Sequence, residues 1–286
     1  MRSFNPLDLP VGERHAMLLS AISPRPIAFA STVDEDGRPN LAPFSFFNVF
    51  SSNPPTMIFS PARGGRDGKL KHTLLNAQAT KEVVINVVSY EIVQQMSLAS
   101  TAYPEGVNEF EKSGLTMLAS EMVKPFRVAE SPAQFECEVK DIIELGQQGG
   151  AGNLVICEVK RMHFAEHIFN DENKIDPHKI RLVSRMGYNY YGEAFGDSVF
   201  EVEKPIARTG IGVDALPKAI RLSKVLTGNH LGMLGNIEAL PTAEEASSVA
   251  DHPAVLAAND ETSIHKLAAA ELDKGNVWFA WKILMV

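Results

Sequence analysis

Residues 27–33, Ile-Ala-Phe-Ala-Ser-Thr-Val, are small, aromatic or β-branched and lie between a proline and an acidic turn, which predicts a buried strand rather than a helix. Asp34-Glu35-Asp36-Gly37 reverses the chain, and residues 38–42 are expected to pair back antiparallel. Pro43 has no amide to give a ladder and is expected to end that strand. The next five residues set Phe44, Phe46 and Phe47 among Ser45 and Asn48, too polar for a core strand and too apolar for a solvated loop. The expectation is a loop that could hold a flat aromatic ligand. Asn53-Pro54-Pro55 is a breaker, and residues 56–59 resume a buried extended run that ends at Ser60.

Farther along, residues 82–88 predict a strand, and residues 90–99 a helix with Ile92, Val93 and Met96 facing inward. The stretch 104–125 is irregular, with a short helix at 108–112, and reads as surface filler. Phe135, Cys137 and Val139 alternate with Gln134, Glu136 and Glu138, and Val155, Cys157 and Val159 share a face in the same way. A glycine-rich turn, 147–153, joins these runs as a hairpin, with two reduced thiols on its core side. His163 and His167 continue a strand, where residues four apart are well separated, so hydrogen-bonded or solvated histidines are favoured over a metal pair. Beyond residue 205 the pattern turns helical, at 215–226, 243–250 and 263–272, with Thr242 and Glu245 as a capping box. The apolar tail 277–286 is far shorter than the roughly 20 residues of a membrane span. Gly210-Ile-Gly212-Val-Asp-Ala215 formally fits a dinucleotide fingerprint, but Pro217 interrupts the helix that should follow and no strand precedes it.

Charge sharpens the picture between residues 63 and 73. Arg63, Arg66, Lys69, Lys71 and His72 are threaded by Gly64, Gly65 and Gly68, and Thr73 follows at once. Glycines let backbone amides turn toward an anion, and a helix over 70–79 would put Lys71 and Thr73 in its first turn, where the dipole favours negative charge. A basic run alone reads as a solvated loop; beside the aromatic loop it reads as a phosphate grip. Globally the chain is acidic, 27 Lys and Arg against 35 Asp and Glu for a net charge of −8, which argues against nonspecific nucleic-acid binding. With 286 residues, 45% of them hydrophobic, it can bury one substantial core and carry an appended subdomain. The first residues contain no signal-like apolar stretch, so a cytoplasmic location is expected.

In order and content these pieces resemble the FMN-binding split-barrel flavin reductase-like family, in its flavoredoxin-type branch. The resemblance rests on Arg25-Pro26-Ile27-Ala28, Ser31-Thr32, Gly37, Asn40, Ala42-Pro43-Phe44-Ser45, Phe47-Asn48 and Asn53-Pro54-Pro55, then Lys71-His72-Thr73, residues 83–86, Phe135-Glu136-Cys137 and the run from Arg185 to Tyr190. It spans about residues 5–200. His72 stands where the family usually has an acid, and Tyr188 where a second glycine is common. The resemblance implies a mainly β fold, an antiparallel Greek-key split barrel with inserted helices over 1–204, followed by a mostly helical C-terminal extension over 205–286. It also implies FMN, flanked by the loop from Ala42, Pro43 and Phe44 through Ser45 and Phe46 to Asn48, with Ser60 and Arg63 reaching its ribityl or phosphate and Lys71 and Thr73 binding phosphate. Arg25 and Arg185 are secondary contacts, and Tyr190 lies near the ring. By the same resemblance the stretch 104–125 is a candidate lid. No side chain need act as acid or base, and no metal is implied. The expected activity is an oxidoreductase taking electrons from NAD(P)H or a small redox donor, as a homodimer, with a partner monooxygenase or redox protein as a candidate acceptor. Two alternatives stay open: a non-catalytic flavin- or haem-binding module, and a pyridoxamine-phosphate-oxidase-like enzyme.

Overall fold

The computed structural model of the chain describes every residue except 66 and 206–208, so Arg66 of the cationic run lies outside the described residues. The chain divides into two compact units, Met1–Phe200 and Glu201–Val286. In the first, the elements are α1 (Val11–Ala21), β1 (Ala28–Val33), β2 (Pro39–Phe44), β3 (Phe47–Ser52), β4 (Pro55–Phe59), α2 (His72–Thr80), β5 (Glu82–Asn86), α3 (Val93–Ala99) and α4 (Glu109–Ser113). There follow β6 (Met117–Leu118), β7 (Arg127–Val128), β8 (Ala133–Glu144), β9 (Asn153–Phe164), α5 (Pro177–Ile180), β10 (Val183–Arg185) and β11 (Tyr191–Glu193).

Seven strands make one sheet in the order β2-β1-β5-β8-β9-β4-β3, and every neighbouring pair is antiparallel. Hairpins join β1 to β2, β3 to β4 and β8 to β9. The connection through α2 carries the chain from β4, beside β9, across to β5, beside β1. This is the antiparallel split barrel with inserted helices that the sequence led us to expect. Alternation along β1 feeds two cores. Ala28 and Ala30 join Phe59, Ile85, Cys137, Cys157 and the α2 residues Leu74 and Ala77. Phe29 joins Leu41, Ile92, Met96 and Phe110 on the other side. Both Phe29 and Phe59 are fully buried, each contributing about 1.5–3 kcal/mol of transfer free energy.

The element boundaries depart from the sequence reading in ways that bear on the site. β2 does not stop at Pro43; it runs through to Phe44, with Pro43 opposite Phe29. β2 lies at one end of the sheet, where a residue without an amide is tolerated on the outer side. The outward amide of Leu41 donates instead to Glu109 Oε2 of α4 at 3.0 Å, a carboxylate whose pKa burial pushes up. The expected loop over 44–48 shrinks to Ser45 and Phe46, because Phe47 opens β3. Lys71 precedes α2 as its extended N-cap (φ −78°, ψ 146°) rather than lying in its first turn. Glu136 is not on an open face. Its side chain is fully buried, accepting from the Glu121 amide at 2.9 Å, the Met122 amide at 2.6 Å and His163 Nε2 at 2.7 Å, so the segment before β7 is strapped onto β8. His163 is thus hydrogen-bonded, and among the described residues no group of three or more His, Cys, Asp or Glu is arranged to hold a metal.

The second unit contains α6 (Lys218–Arg221), α7 (Gly228–Gly235), α8 (Ala243–Ser247), α9 (Pro253–Leu256), α10 (Glu261–Leu272) and α11 (Val277–Met285). Its core centres on Trp281, fully buried, whose indole N–H donates to the Leu234 carbonyl at 3.0 Å. The capping box of Thr242 and Glu245 is formed at the start of α8. The helix expected over 215–226 is confined to α6. Pro217 precedes it, and the Ser223 hydroxyl accepts from the Val225 and Leu226 amides at 3.1 Å each, offering the backbone an alternative to the helix. Among the described residues no helix is long and apolar enough to cross a membrane.

Candidate functional site

Arg25, immediately before β1, is buried to 5% exposure, and its guanidinium organises the region. Nη1 donates to the Leu19 carbonyl and, at 2.9 Å, to the Ile22 carbonyl at the end of α1; Nη2 donates to the Met186 carbonyl at 2.9 Å, and Nε reaches Ser45 Oγ at 3.5 Å. Its backbone also bridges Arg185, donating at 3.0 Å and accepting at 2.8 Å. Burial lowers the Arg25 pKa, and the nearby Arg185 charge lowers it further. One residue thereby fastens α1 and the β10–β11 hairpin to the loop at Ser45, and these pieces border an open cavity of about 470 Å³.

The walls come from separate parts of the chain. The β2–β3 junction supplies Pro43, Phe44, Ser45 and Phe46; the end of β4 supplies Ser60 and Ala62; Lys71 enters from the start of α2. α1 supplies His15, Ala16 and Leu19, and the hairpin supplies Arg185, Met186 and Tyr188. Among the described residues lining it there are two arginines, a lysine and a histidine, and no carboxylate. Ser60 is held by accepting the Asn153 amide at 3.0 Å, while Asn153 Nδ2 donates to the Pro61 carbonyl at 2.7 Å. That leaves the Ser60 hydroxyl proton free to donate. The approach requires glycine at 152, where a Cβ would stand 2.8 Å from Ser60 Oγ.

Of the residues singled out from the sequence, the structure brings together Arg25, Pro43, Phe44, Ser45, Phe46, Ser60, Lys71 and Arg185. Five others lie outside the lining. Ala42 is paired with Ala30 in the sheet, and Asn48 is exposed on β3 with Oδ1 accepting its neighbour Val49's amide at 2.8 Å. Thr73 is buried in a network where Asn40 Nδ2 donates to its Oγ1 at 2.9 Å and to Thr32 Oγ1 at 3.1 Å. Arg63 pairs with Glu144 at 3.0 Å, its buried Nε having no partner among the described residues. Tyr190 is exposed as the last residue of the hairpin turn, its carbonyl accepting from the Met186 amide at 3.0 Å. What the sequence reading missed is α1, which buries no residue completely yet supplies His15, Ala16 and Leu19 to the cavity lining.

Comparison with known proteins places this architecture. The Halalkalibacterium halodurans protein BH2278 is 37% identical over 203 residues, covering 70% of this chain and 95% of its own length. The crystal structure of nitrilotriacetate monooxygenase component B from Bacillus cereus is similar with a TM-score of 0.66 at 30% identity, over 71% of this chain and 98% of that one. The putative flavin reductase with a split barrel domain from Shewanella frigidimarina shares the fold, with a TM-score of 0.59 at 24% identity over 70% of this chain and 96% of its own. Residues 20–192, which include every wall of the cavity but His15, Ala16 and Leu19, match the model of the flavin reductase like domain, and the chain belongs to that family.

Proposed function

We propose that the first unit is an FMN-dependent oxidoreductase of the flavin reductase or flavoredoxin type, taking electrons from NAD(P)H or a small redox donor and passing them to an acceptor. The observation that carries this reading is the charge of the cavity. In a chain of net charge −8, Arg25, Lys71 and Arg185 converge on one cavity whose described lining contains no acid. Its volume falls within the roughly 300–1,000 Å³ of small-molecule sites, and its lining pairs those cations with Phe44 and Phe46. A phosphorylated planar ligand fits that donor set. Lys71, beside the α2 N-terminus, and Arg185 would hold the phosphate; Ser45 and Ser60 would donate to hydroxyl or carbonyl oxygens; Pro43, Phe44 and Phe46 would flank the ring. Arg25 would act mainly through the carbonyls it clamps, and Thr73 through the Asn40 network behind the wall.

Bound FMN supplies hydride acceptance and stepwise electron release. The chain's own residues would bind and orient: Ala16 and Leu19 of α1 line the cavity, and the clamp at Arg25 fixes its shape. The reading includes a homodimer, supported by the exposed Val49 and Phe50 on the end strand β3, adjoining Phe46. It also includes a monooxygenase that consumes reduced flavin, supported by the likeness to a monooxygenase component B. Two free, buried cysteines suit a cytoplasmic setting.

The test is calorimetric titration of FMN into the recombinant protein and its Lys71→Ala variant, followed by anaerobic addition of NADH and NADPH. Expected are FMN binding by the wild type, at least about ten-fold weaker binding by the variant, and rapid bleaching of the flavin band with one nicotinamide. A wild-type protein that refuses FMN refutes the reading; tight binding with persistent colour favours a passive carrier.

A further inference from the structure

The turn closing the β10–β11 hairpin consists of Gly187, Tyr188, Asn189 and Tyr190, the Tyr190 amide donating to the Gly187 carbonyl at 3.1 Å. Its positive φ, 53°, falls on Tyr188, the first central residue. Hairpin turns with that pattern ordinarily take glycine there, because a Cβ crowds the backbone. Burial does not account for the tyrosine, since it is 70% exposed. Nor is the turn loose. Gly187 is pressed so closely on Ser20 of α1 that a Cβ would stand 2.2 Å from Ser20 Oγ, and the preceding Met186 carbonyl is held by Arg25 at 2.9 Å. The hairpin thus fixes the backbone at an exposed tyrosine of strained φ that lines the cavity, as the part-exposed Phe46 does. Strain that packing does not require, kept at a binding cavity, points to use.

Resting on the flavin reading above, we infer that Tyr188 is a binding residue for a nicotinamide dinucleotide, its phenol ring giving the nicotinamide a stacking face that favours the oxidised form. An aromatic face attracts a cation, and the oxidised nicotinamide is a pyridinium, so Tyr188 holds NAD⁺ more tightly than an aliphatic side chain would. Nothing in this role depends on the phenol hydroxyl.

The experiment compares the wild type with Tyr188→Gly, Tyr188→Leu and Tyr188→Phe. FMN is titrated calorimetrically into each apoprotein, and NAD⁺ into each FMN-loaded protein, with no turnover. Leucine keeps bulk and backbone strain but removes the ring; glycine removes both. Expected are FMN affinities within about three-fold of one another, and NAD⁺ affinity weakened at least about five-fold in Tyr188→Gly and Tyr188→Leu but kept within about two-fold in Tyr188→Phe. The Tyr188→Gly apoprotein should melt no lower than the wild type. Equal NAD⁺ affinity in all four, no NAD⁺ binding by the loaded wild type, or an equal loss in Tyr188→Phe overturns the assignment while leaving the flavin reading intact. Refusal of FMN by the wild type removes the flavin reading itself, and this inference with it.

Discussion

Arg25 Nη2 donates to the Met186 carbonyl at 2.9 Å across 161 positions of sequence, and the same guanidinium holds the Ile22 carbonyl at 2.9 Å. A lysine there could satisfy at most part of this set, because its single ammonium cannot span acceptors on two elements as a planar fork does. Arg25→Lys is expected to destabilise the first unit by about 1–3 kcal/mol through unsatisfied buried carbonyls, and to weaken ligand binding in the cavity by loosening α1. Urea denaturation of the two proteins checks this; identical midpoints would count against the clamp.

Gly187 supports a second prediction about the same junction. Besides lying 2.2 Å from Ser20 Oγ, an added Cβ would lie 2.9 Å from Ser20 Cβ and 3.0 Å from its Cα. Gly187→Ala should therefore cost about 1–3 kcal/mol by forcing hairpin and helix apart. Adding Ser20→Gly removes the two nearest atoms and should recover part of the loss, measurable as a non-additive double-mutant cycle.

The strap on β8 gives a pH prediction. Burial alone would raise the Glu136 carboxyl, but the amides of Glu121 and Met122 and the ring of His163 outweigh it, and the pKa lies below the ordinary glutamate value. A group depressed in the folded state contributes stability above its unfolded pKa of about 4.3 and loses it as pH falls through the lower folded value. Glu136→Gln should accordingly be less stable than wild type by about 1–3 kcal/mol at pH 7, with the gap closing below pH ~4. A gap that is constant from neutral to acid pH would show that the carboxylate's charge is irrelevant to the strap.

The thiols are predicted to be inert. Burial pushes Cys157 up to about 12, and burial with Cys157 beside it pushes Cys137 well above the ordinary thiol value. Since the thiolate is the reacting form, a disulfide reagent at pH ~8 should label neither cysteine in the native protein and both after denaturation. Rapid labelling of the folded protein would mean that β8 or β9 opens locally.

How much of this was legible beforehand depended on whether a residue's neighbours are near in sequence. The β1–β2 hairpin and the paired cysteine strands announce themselves through turn chemistry and alternation, both local signals. β3 does not: its Asn48, Val49 and Phe50 are exposed, so the strand at the end of the sheet has no buried period to read. Glu136 alternates with Gln134 and Glu138 as an outward residue would, and is buried only because residues 121 and 122 return over it. Thr73 sits where a phosphate ligand was expected, but the partner that engages it, Asn40, is 33 residues away. α1 escaped for the opposite reason, a helix with no fully buried residue that matters through the cavity it lines. Eight of the residues singled out line one cavity because the loop at Ser45, the end of β4, the start of α2, Arg25 before β1 and the hairpin at Arg185 all border it.

The link between Leu41 and Glu109 reaches beyond the site. On β2 the positions sharing Leu41's outward orientation are Pro39 and Pro43, neither of which has an N–H, while Leu41's own is taken by Glu109 Oε2. That margin of the sheet keeps its outward carbonyls but has no free donor to offer an incoming strand, which weakens the edge-to-edge recruitment that seeds aggregates. Growth by strand addition is left to the opposite rim, at β3.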